Sequence, residues 1–261
     1  MEILRFTLSG RHAFFKKPEV NSYCYFTYGN IHKVALLGIF GAILGYGGYT
    51  QMQSFGKEKK RTALSPGYPE FYEKLRSLKV SILPASDCRN GVIPKKIQTF
   101  NNSVGYASRE QGGNLIVKEQ WLEKPRWEIC VLVDSEEAEQ VKNAICRKQC
   151  VYYPYLGKND HPADIRDVRV ETARCAAFTA VRLDCLAPEE KAAVFEPDFD
   201  DLDEFDGLDT CAEFKYEEAL PWGMDEWTNH YMMKTYLYTN VLLETDAEVY
   251  QLEDGKKIIF Y

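Results

Sequence analysis

Apolar and polar residues alternate at the start of the chain with a period close to two. Such alternation over residues 2–8 predicts a half-buried β-strand, which Ser9-Gly10 ends. The two faces of this strand carry Leu4, Phe6 and Leu8 on one side and Ile3, Arg5 and Thr7 on the other.

A continuous apolar run at 34–44 follows and predicts a buried helix, with Asn30 as its N-cap. The run is well short of the ~20 residues that span a bilayer, so we expect no membrane partner. Gly38, Gly41 and Gly45 leave one side of the helix nearly bare. We interpret this bare side as a surface for close packing on a sheet.

Further along the chain, the pattern predicts strands at 79–83 and 126–133, a helix at 136–148, and strand-like pieces at 167–173 and 178–183. The resulting order is strand, helix, strand, strand, helix, strand. This is the order of a ferredoxin-like or RNA-recognition fold, so the predicted class is α+β.

Two regions fall outside that repeating order. Residues 84–118 contain scattered Gly, Pro and Asn with short strand-like pieces, which indicates an inserted hairpin excursion. The tail contains β-rich pieces and an Asp254-Gly255 turn, which predicts a final hairpin. We therefore predict a ferredoxin-like domain at 1–186, followed by an acidic loop and a small β-rich region at 187–261.

Charge is divided unevenly between these two parts. The net charge of the 261-residue chain is −7, but residues 1–186 carry 27 Lys/Arg against 19 Asp/Glu, a balance of +8. Residues 187–261 carry 5 Lys/Arg against 20 Asp/Glu, a balance of −15, with eight acids at 196–209. A polyanionic partner fits the first part only. The acidic run lacks the spacing of a calcium loop, so we expect a solvated loop there.

Eight cysteines are present, without CxxC spacing or a nearby His that would indicate a zinc site. No secretory segment is recognised, so we expect free or structural thiols and a cytoplasmic location. We expect no metal site and no cofactor.

Two segments resemble a known family. The first is the strand ending at Ser9-Gly10, the loop Ala13-Phe14-Phe15-Lys16-Lys17-Pro18, and the helix with its Leu-Leu-Gly and Ala-Ile-Leu-Gly runs. The second is the Leu-Gly loop within 155–164, more than a hundred residues later. Together they resemble the fifth family of CRISPR-associated (Cas) proteins, within the repeat-associated mysterious protein superfamily. The matching segments cover roughly a quarter of the chain.

The resemblance implies a non-catalytic subunit of a type I Cascade complex, most like the subtype I-B branch. Such a subunit binds and caps the 5′ handle of the guide crRNA in antiviral defence. Its implied partners are the handle, the Cascade backbone subunits and the large subunit, with target DNA reached through the complex. The same resemblance implies the ferredoxin-like fold, in which the excursion at 84–118 is the family's thumb.

Candidate RNA contacts follow from residue chemistry together with this resemblance. Arg and Lys neutralise phosphates, and aromatic rings stack on splayed bases. The alternative is that Phe14 and Phe15 are core residues and the cations are merely solvated. The expected RNA-binding residues are Arg11, His12, Phe14, Lys16 and Lys17 in the first loop, Lys95, Lys96, Arg109 and Lys118 in the thumb, and Gly157, Lys158 and Asn159 in the glycine loop.

Two other functions stay open at this point. The first is a metal-independent endoribonuclease that processes CRISPR repeat RNA, since one branch of the resembled family uses a Tyr, Lys and His set for this. His12 and Tyr46 are the candidate pair, but nowhere in the sequence does a His directly follow a Lys. We therefore expect no catalytic residues. The second is a ferredoxin-like protein-interaction module that binds no RNA.

Overall fold

The computed structural model describes residues 1–19, 23–54, 66–85, 89–178, 180–195 and 212–261. The acidic segment at 196–209, Cys88 and Cys211 lie outside the described residues, so the expectations for them stay predictions.

Within the described ranges the chain is mixed α+β with antiparallel ladders, which confirms the predicted class. The helices are α1 Lys33–Leu44, α2 Tyr49–Ser54, α3 Glu70–Leu75 and α4 Glu136–Cys146. The strands of the first half are β1 Glu2–Ser9, β2 His12–Ala13, β3 Val80–Pro84, β4 Lys95–Asn101, β5 Ile116–Glu123, β6 Arg126–Leu132 and β7 Asp164–Thr172. Those of the second half are β8 Arg174–Ala176, β9 Ala180–Val181, β10 Ala187–Pro188, β11 Ala193–Val194, β12 Lys215–Met224, β13 Tyr231–Thr239, β14 Leu243–Glu244, β15 Val249–Gln251 and β16 Lys257–Ile259.

The central sheet contains four strands in the order β3-β6-β1-β7. β1 pairs with β6 from Ile3↔Leu132 to Ser9↔Arg126, and with β7 on its other side. α1 connects β1 to β3 along the chain, and α4 connects β6 to β7. The other described strands, among them the long hairpin β12–β13, form four three-stranded sheets outside this one.

Both faces of β1 are covered, which differs from the predicted half-buried strand. Leu4, Phe6 and Leu8 pack with α1 and α4 in one apolar cluster. Ile3 packs in a second cluster with the hairpin β15–β16, where Gly255 forms the turn with φ +87. The alternation of β1 therefore separates two cores.

Both clusters contain residues from each side of position 186, and the predicted domain boundary stays a prediction.

The glycines of α1 do not pack on the sheet as predicted. A Cβ on Gly41 would overlap Phe71 of α3, so Gly41 permits close contact between two helices. Gly45 lies beyond the end of α1 with φ +82 and forms its C-cap. The N-cap is His32, whose Nδ1 accepts from Ala35 N at 3.2 Å, so the predicted Asn30 cap is wrong.

β4 and β5 form an antiparallel hairpin within the predicted excursion, although β5 continues to Glu123. Asn30 does not cap α1. Its side-chain oxygen instead accepts a hydrogen bond from Trp127 Nε1 at 2.9 Å. No helix in the described part of the chain is long and apolar enough to cross a membrane.

Candidate nucleic-acid interface

The loop after β1 is held by two neighbouring segments. Its strand β2 pairs with the end of β5 through His12↔Glu123 and Ala13↔Leu122. Phe14 N donates to the carbonyl oxygen of Leu156 at 3.0 Å, which fixes the loop against the segment before Gly157. The basic-aromatic loop, the hairpin and the glycine loop therefore meet at one edge of the molecule.

The two phenylalanines of this loop are core residues. Phe14 is 6% exposed and Phe15 is 4% exposed, and the ring of Phe15 packs against Trp127 and His32. The structure thus agrees with the alternative interpretation of both rings. The stacking surface predicted for Phe14 is not exposed, because the apolar ring gains more from burial beneath the loop than from solvent exposure.

The cations of the loop differ in their surroundings. Arg11 and Lys16 are exposed, and Lys16 Nζ lies 4.0 Å from the ring centroid of Tyr25. Lys17 Nζ lies 3.7 Å from Glu218 Oε1 and is half-buried. Arg11 and Lys16 are therefore better placed than Lys17 to meet a phosphate.

The pleat of the hairpin separates its cations. Lys96 pairs with Trp121 across the ladder, and its Nζ lies 5.7 Å from the Trp121 ring centroid. Lys95 and Lys118 occupy alternate positions of β4 and β5, and so project from the opposite face. Arg109 lies in the connection between the two strands. Of the four predicted hairpin cations, Lys96 is the one that lies beside Trp121, and its Nζ also lies 3.8 Å from Glu123 Oε1.

The glycine loop is locked against the first loop by its glycine. Gly157 has φ +82, and a Cβ there would overlap the carbonyl oxygen of Phe14. Lys158 then reaches the hairpin, where its Nζ lies 2.9 Å from Glu119 Oε2 and 5.4 Å from the Trp121 ring centroid. Asn159 is exposed beside it.

These contacts converge on Trp121, a residue that is not among the predicted RNA-binding residues. Its Nε1 donates to Glu119 Oε2 at 2.7 Å. We name the assembly around this ring the Trp121 cluster. Its members are His12, Lys96, Phe100, Glu119, Trp121, Lys158 and His161.

His161, like Phe100, Glu119 and Trp121, is a member of the cluster that is not among the predicted site residues. Its ring centroid lies 4.5 Å from that of Trp121 and 5.8 Å from that of His12, and the residue is 3% exposed. Neither ring nitrogen has a hydrogen-bond partner among the described residues. Burial lowers the pKa of His161, and burial with the cations Lys96 and Arg11 lowers that of His12. The surroundings in the Trp121 cluster therefore favour the neutral form of both the His12 ring and the His161 ring.

His12 and Tyr46, the pair considered for catalysis, contact different elements. The Tyr46 hydroxyl donates to Gln140 Oε1 of α4 at 2.7 Å, and Lys74 of α3 lies over its ring. The His12 ring instead packs on Trp121 and His161. The described contacts therefore give these two side chains no shared acid–base arrangement.

No protein-family model and no curated protein matches this sequence. By structure, the chain is similar to a chain of a CRISPR RNA-guided surveillance complex, with 13% identity and a TM-score of 0.47 over 94% of this chain and 91% of that one. It is similar to a CRISPR protein from Archaeoglobus fulgidus, with 11% identity and a TM-score of 0.45 over 100% and 98%. It is also similar to a chain of the type III-B Cmr-beta complex bound to cognate target RNA and AMPPnP, with 10% identity and a TM-score of 0.46 over 94% and 86%. At these identities and TM-scores the likeness assigns neither a family nor a function.

Proposed function

We propose that this protein is a non-catalytic RNA-binding subunit of a Cascade-type CRISPR effector complex in antiviral defence. In this proposal it binds and caps the 5′ handle of the crRNA and belongs to the fifth Cas family, nearest to the subtype I-B branch. The sequence resemblance of the first loop and the glycine loop motivates the proposal. Its partners would be the Cascade backbone subunits and the large subunit.

The observation that carries the proposal is the Trp121 cluster. Residue 12, the hairpin at 95–123 and the glycine loop at 157–159 are far apart in sequence, yet their side chains meet around one indole ring. The exposed Arg11 and Lys16 lie on the loop that forms one side of this assembly. Cations beside aromatic rings are the elements that hold a single strand by charge and stacking.

The sheet supports the fold that the proposal requires. Strand, helix, strand, strand, helix, strand, with the sheet order β3-β6-β1-β7, is compatible with the ferredoxin-like domain that we propose. We propose that the hairpin β4–β5 is the thumb of this fold and approaches the handle with its Trp121 face.

A metal-independent endoribonuclease is the second candidate function, and the proximity of His12 to His161 favours it. General acid–base cleavage needs one group to deprotonate the 2′-OH and another to protonate the leaving 5′-oxygen. His161 is 3% exposed, so it does not reach a bound strand without rearrangement of the cluster. We therefore propose the binding role as the main one.

Binding of single-stranded RNA from the 5′ handle of the cognate repeat tests the proposal. We expect Arg11→Gln/Lys96→Gln to weaken binding, because it removes one exposed positive charge of the first loop and one positive charge of the Trp121 cluster. The matched control is Lys74→Gln/Lys79→Gln, which removes two exposed positive charges on α3 and before β3. Equal affinity of both double variants, or absence of handle binding by the unmodified protein, would overturn the proposal.

A further inference from the structure

A groove of about 640 Å³ lies over the half-buried side of α1 that carries Ala35, Gly38 and Ala42, next to the Trp121 cluster. We infer that this groove is a nucleobase subsite, which takes an unstacked base of the single-stranded RNA whose phosphates meet Arg11 and Lys16. The inference rests on the proposed function and adds to it a place where a base is held.

The floor of the groove is open because of one glycine. A Cβ built on Gly38 meets only Phe71 Cε2, at 4.0 Å, so the position has room for a side chain. Gly41, one turn later, has no such room, because Phe71 occupies it. The two glycines of α1 therefore serve different purposes, and only Gly38 leaves empty space.

Tyrosine rings form the walls of the groove. Tyr49, Tyr152 and Tyr155 line it and are 45%, 58% and 44% exposed. The faces of these exposed rings suit stacking with any base. A cleft of this volume is within the range of roughly 300–1,000 Å³ that small ligands occupy.

The charges of the residues that line the groove favour a nucleotide as its occupant. No Asp or Glu is present among the described residues that line this groove or the adjoining one of about 560 Å³, although the protein carries −7 overall. Lys16 lines both grooves. A lining with a cation, many rings and no carboxylate is complementary to a nucleotide, which combines a flat apolar base with a negative phosphate.

The groove is continuous with the proposed RNA surface. Phe14, Lys16 and Gly157 belong to the two loops that form the Trp121 cluster, and they also line the groove. A single-stranded RNA whose backbone crosses the basic-aromatic loop can therefore place one base in the groove while its phosphates stay on that loop.

The test uses a short oligouridine RNA with a single 2-aminopurine, and a matched RNA with an abasic site in place of that base. Gly38→Met should fill the floor of the groove, whereas Tyr153→Ala removes a ring that is 89% exposed but does not line the groove, and serves as the control. Tyr152→Ala removes an exposed wall instead of filling the floor, so it keeps the test valid if Gly38→Met fails to fold.

We expect the unmodified protein and Tyr153→Ala to quench 2-aminopurine fluorescence on binding. Gly38→Met and Tyr152→Ala should lose most of this quenching and bind the intact RNA roughly ten-fold more weakly. The abasic RNA should bind all four proteins equally. Unchanged quenching and affinity in both variants would overturn the subsite while leaving RNA binding intact, and would favour a protein occupant. Failure of the unmodified protein to bind either RNA would overturn the subsite, and the handle-RNA experiment above then decides separately whether the proposed function stands.

Discussion

The ammonium group of Lys158 lies 2.9 Å from Oε2 of Glu119, a residue that is only 7% exposed. This ion pair fastens the glycine loop to the hairpin. It also neutralises Lys158 locally, whereas Lys16 is exposed and contacts only the face of a tyrosine ring in the described structure. The two lysines therefore differ in the positive charge that they offer to an RNA backbone.

This difference predicts the salt dependence of RNA binding. Lys16→Gln should reduce the slope of log K against log salt by about 0.7, the value for one phosphate contact on a single strand. Lys158→Gln/Glu119→Gln removes one charge of each sign, and should leave the slope unchanged. Titration of binding over a series of salt concentrations measures both slopes. An equal reduction in both variants would mean that Lys158 meets a phosphate despite its partner.

Gly157 should be the least replaceable glycine of the interface. Gly157 and Gly112 both have a positive φ, +82 and +76, but only a Cβ at Gly157 meets another atom, the carbonyl oxygen of Phe14. We expect Gly112→Ala to cost about 1 kcal/mol of unfolding free energy and Gly157→Ala at least about 2 kcal/mol. Urea denaturation compares the two variants, and equal losses would show that the two loops move apart at no cost.

Sequence patterns predicted the elements of the sheet better than their surroundings. The strand predicted at 2–8 is Glu2–Ser9, and the helix predicted at 136–148 is Glu136–Cys146. The strand predicted at 178–183 is reduced to Ala180–Val181. Period-two alternation did not reveal that Ile3 is buried, because the hairpin that covers it lies some 250 residues away along the chain.

The candidate site was predicted in pieces but not as an arrangement. Both loops and the hairpin were identified from residue types, yet the sequence gives no way to distinguish Lys95 from Lys96. The ladder register decides that difference, since it places Lys96 opposite Trp121. His161 carried no signal of its own, because an isolated histidine has no spacing pattern. Its place in the Trp121 cluster follows only from the packing of the glycine loop on the hairpin.

Burial of Arg5 should make the contact between sheet and tail essential for stability. Arg5 is 1% exposed, and its guanidinium bonds to Glu128 at 2.7 Å, Glu171 at 3.1 Å and Asp254 at 2.6 Å. Arg5→Met leaves the buried Glu171 without this partner and should cost about 3–5 kcal/mol of unfolding free energy. Asp254→Asn changes a partner that is 41% exposed and should cost much less. Chemical denaturation of both variants tests this order.

His32 should make the fold sensitive to acid. Burial lowers its pKa to about 3, against about 6.5 in an unfolded chain, while its Nδ1 caps α1. Protons therefore bind the unfolded state preferentially between these values. His32 should contribute a loss of about 1.4 kcal/mol per pH unit as the pH falls below ~6.5, until it approaches ~3.

His32→Asn isolates this contribution, because asparagine also caps helices but does not titrate in this range. The measurement is unfolding free energy against pH for both proteins. We expect the variant to show the shallower slope between pH ~6 and ~4, whatever its absolute stability. Parallel curves would show that His32 is protonated in the folded protein.

The last prediction is that the purified protein binds repeat RNA without cutting it. A matched acid and base each contribute roughly 10²–10⁴ in rate, so genuine cleavage stands far above background. Here Tyr46 is engaged by Gln140, and His161 is buried beneath His12 and Trp121. The assay is single-turnover incubation of repeat RNA with excess protein in EDTA, beside His12→Ala, His161→Ala and Tyr46→Phe. Cleavage at one position that any of these substitutions abolishes would instead identify a self-processing endoribonuclease, with the sensitive residue at its catalytic centre.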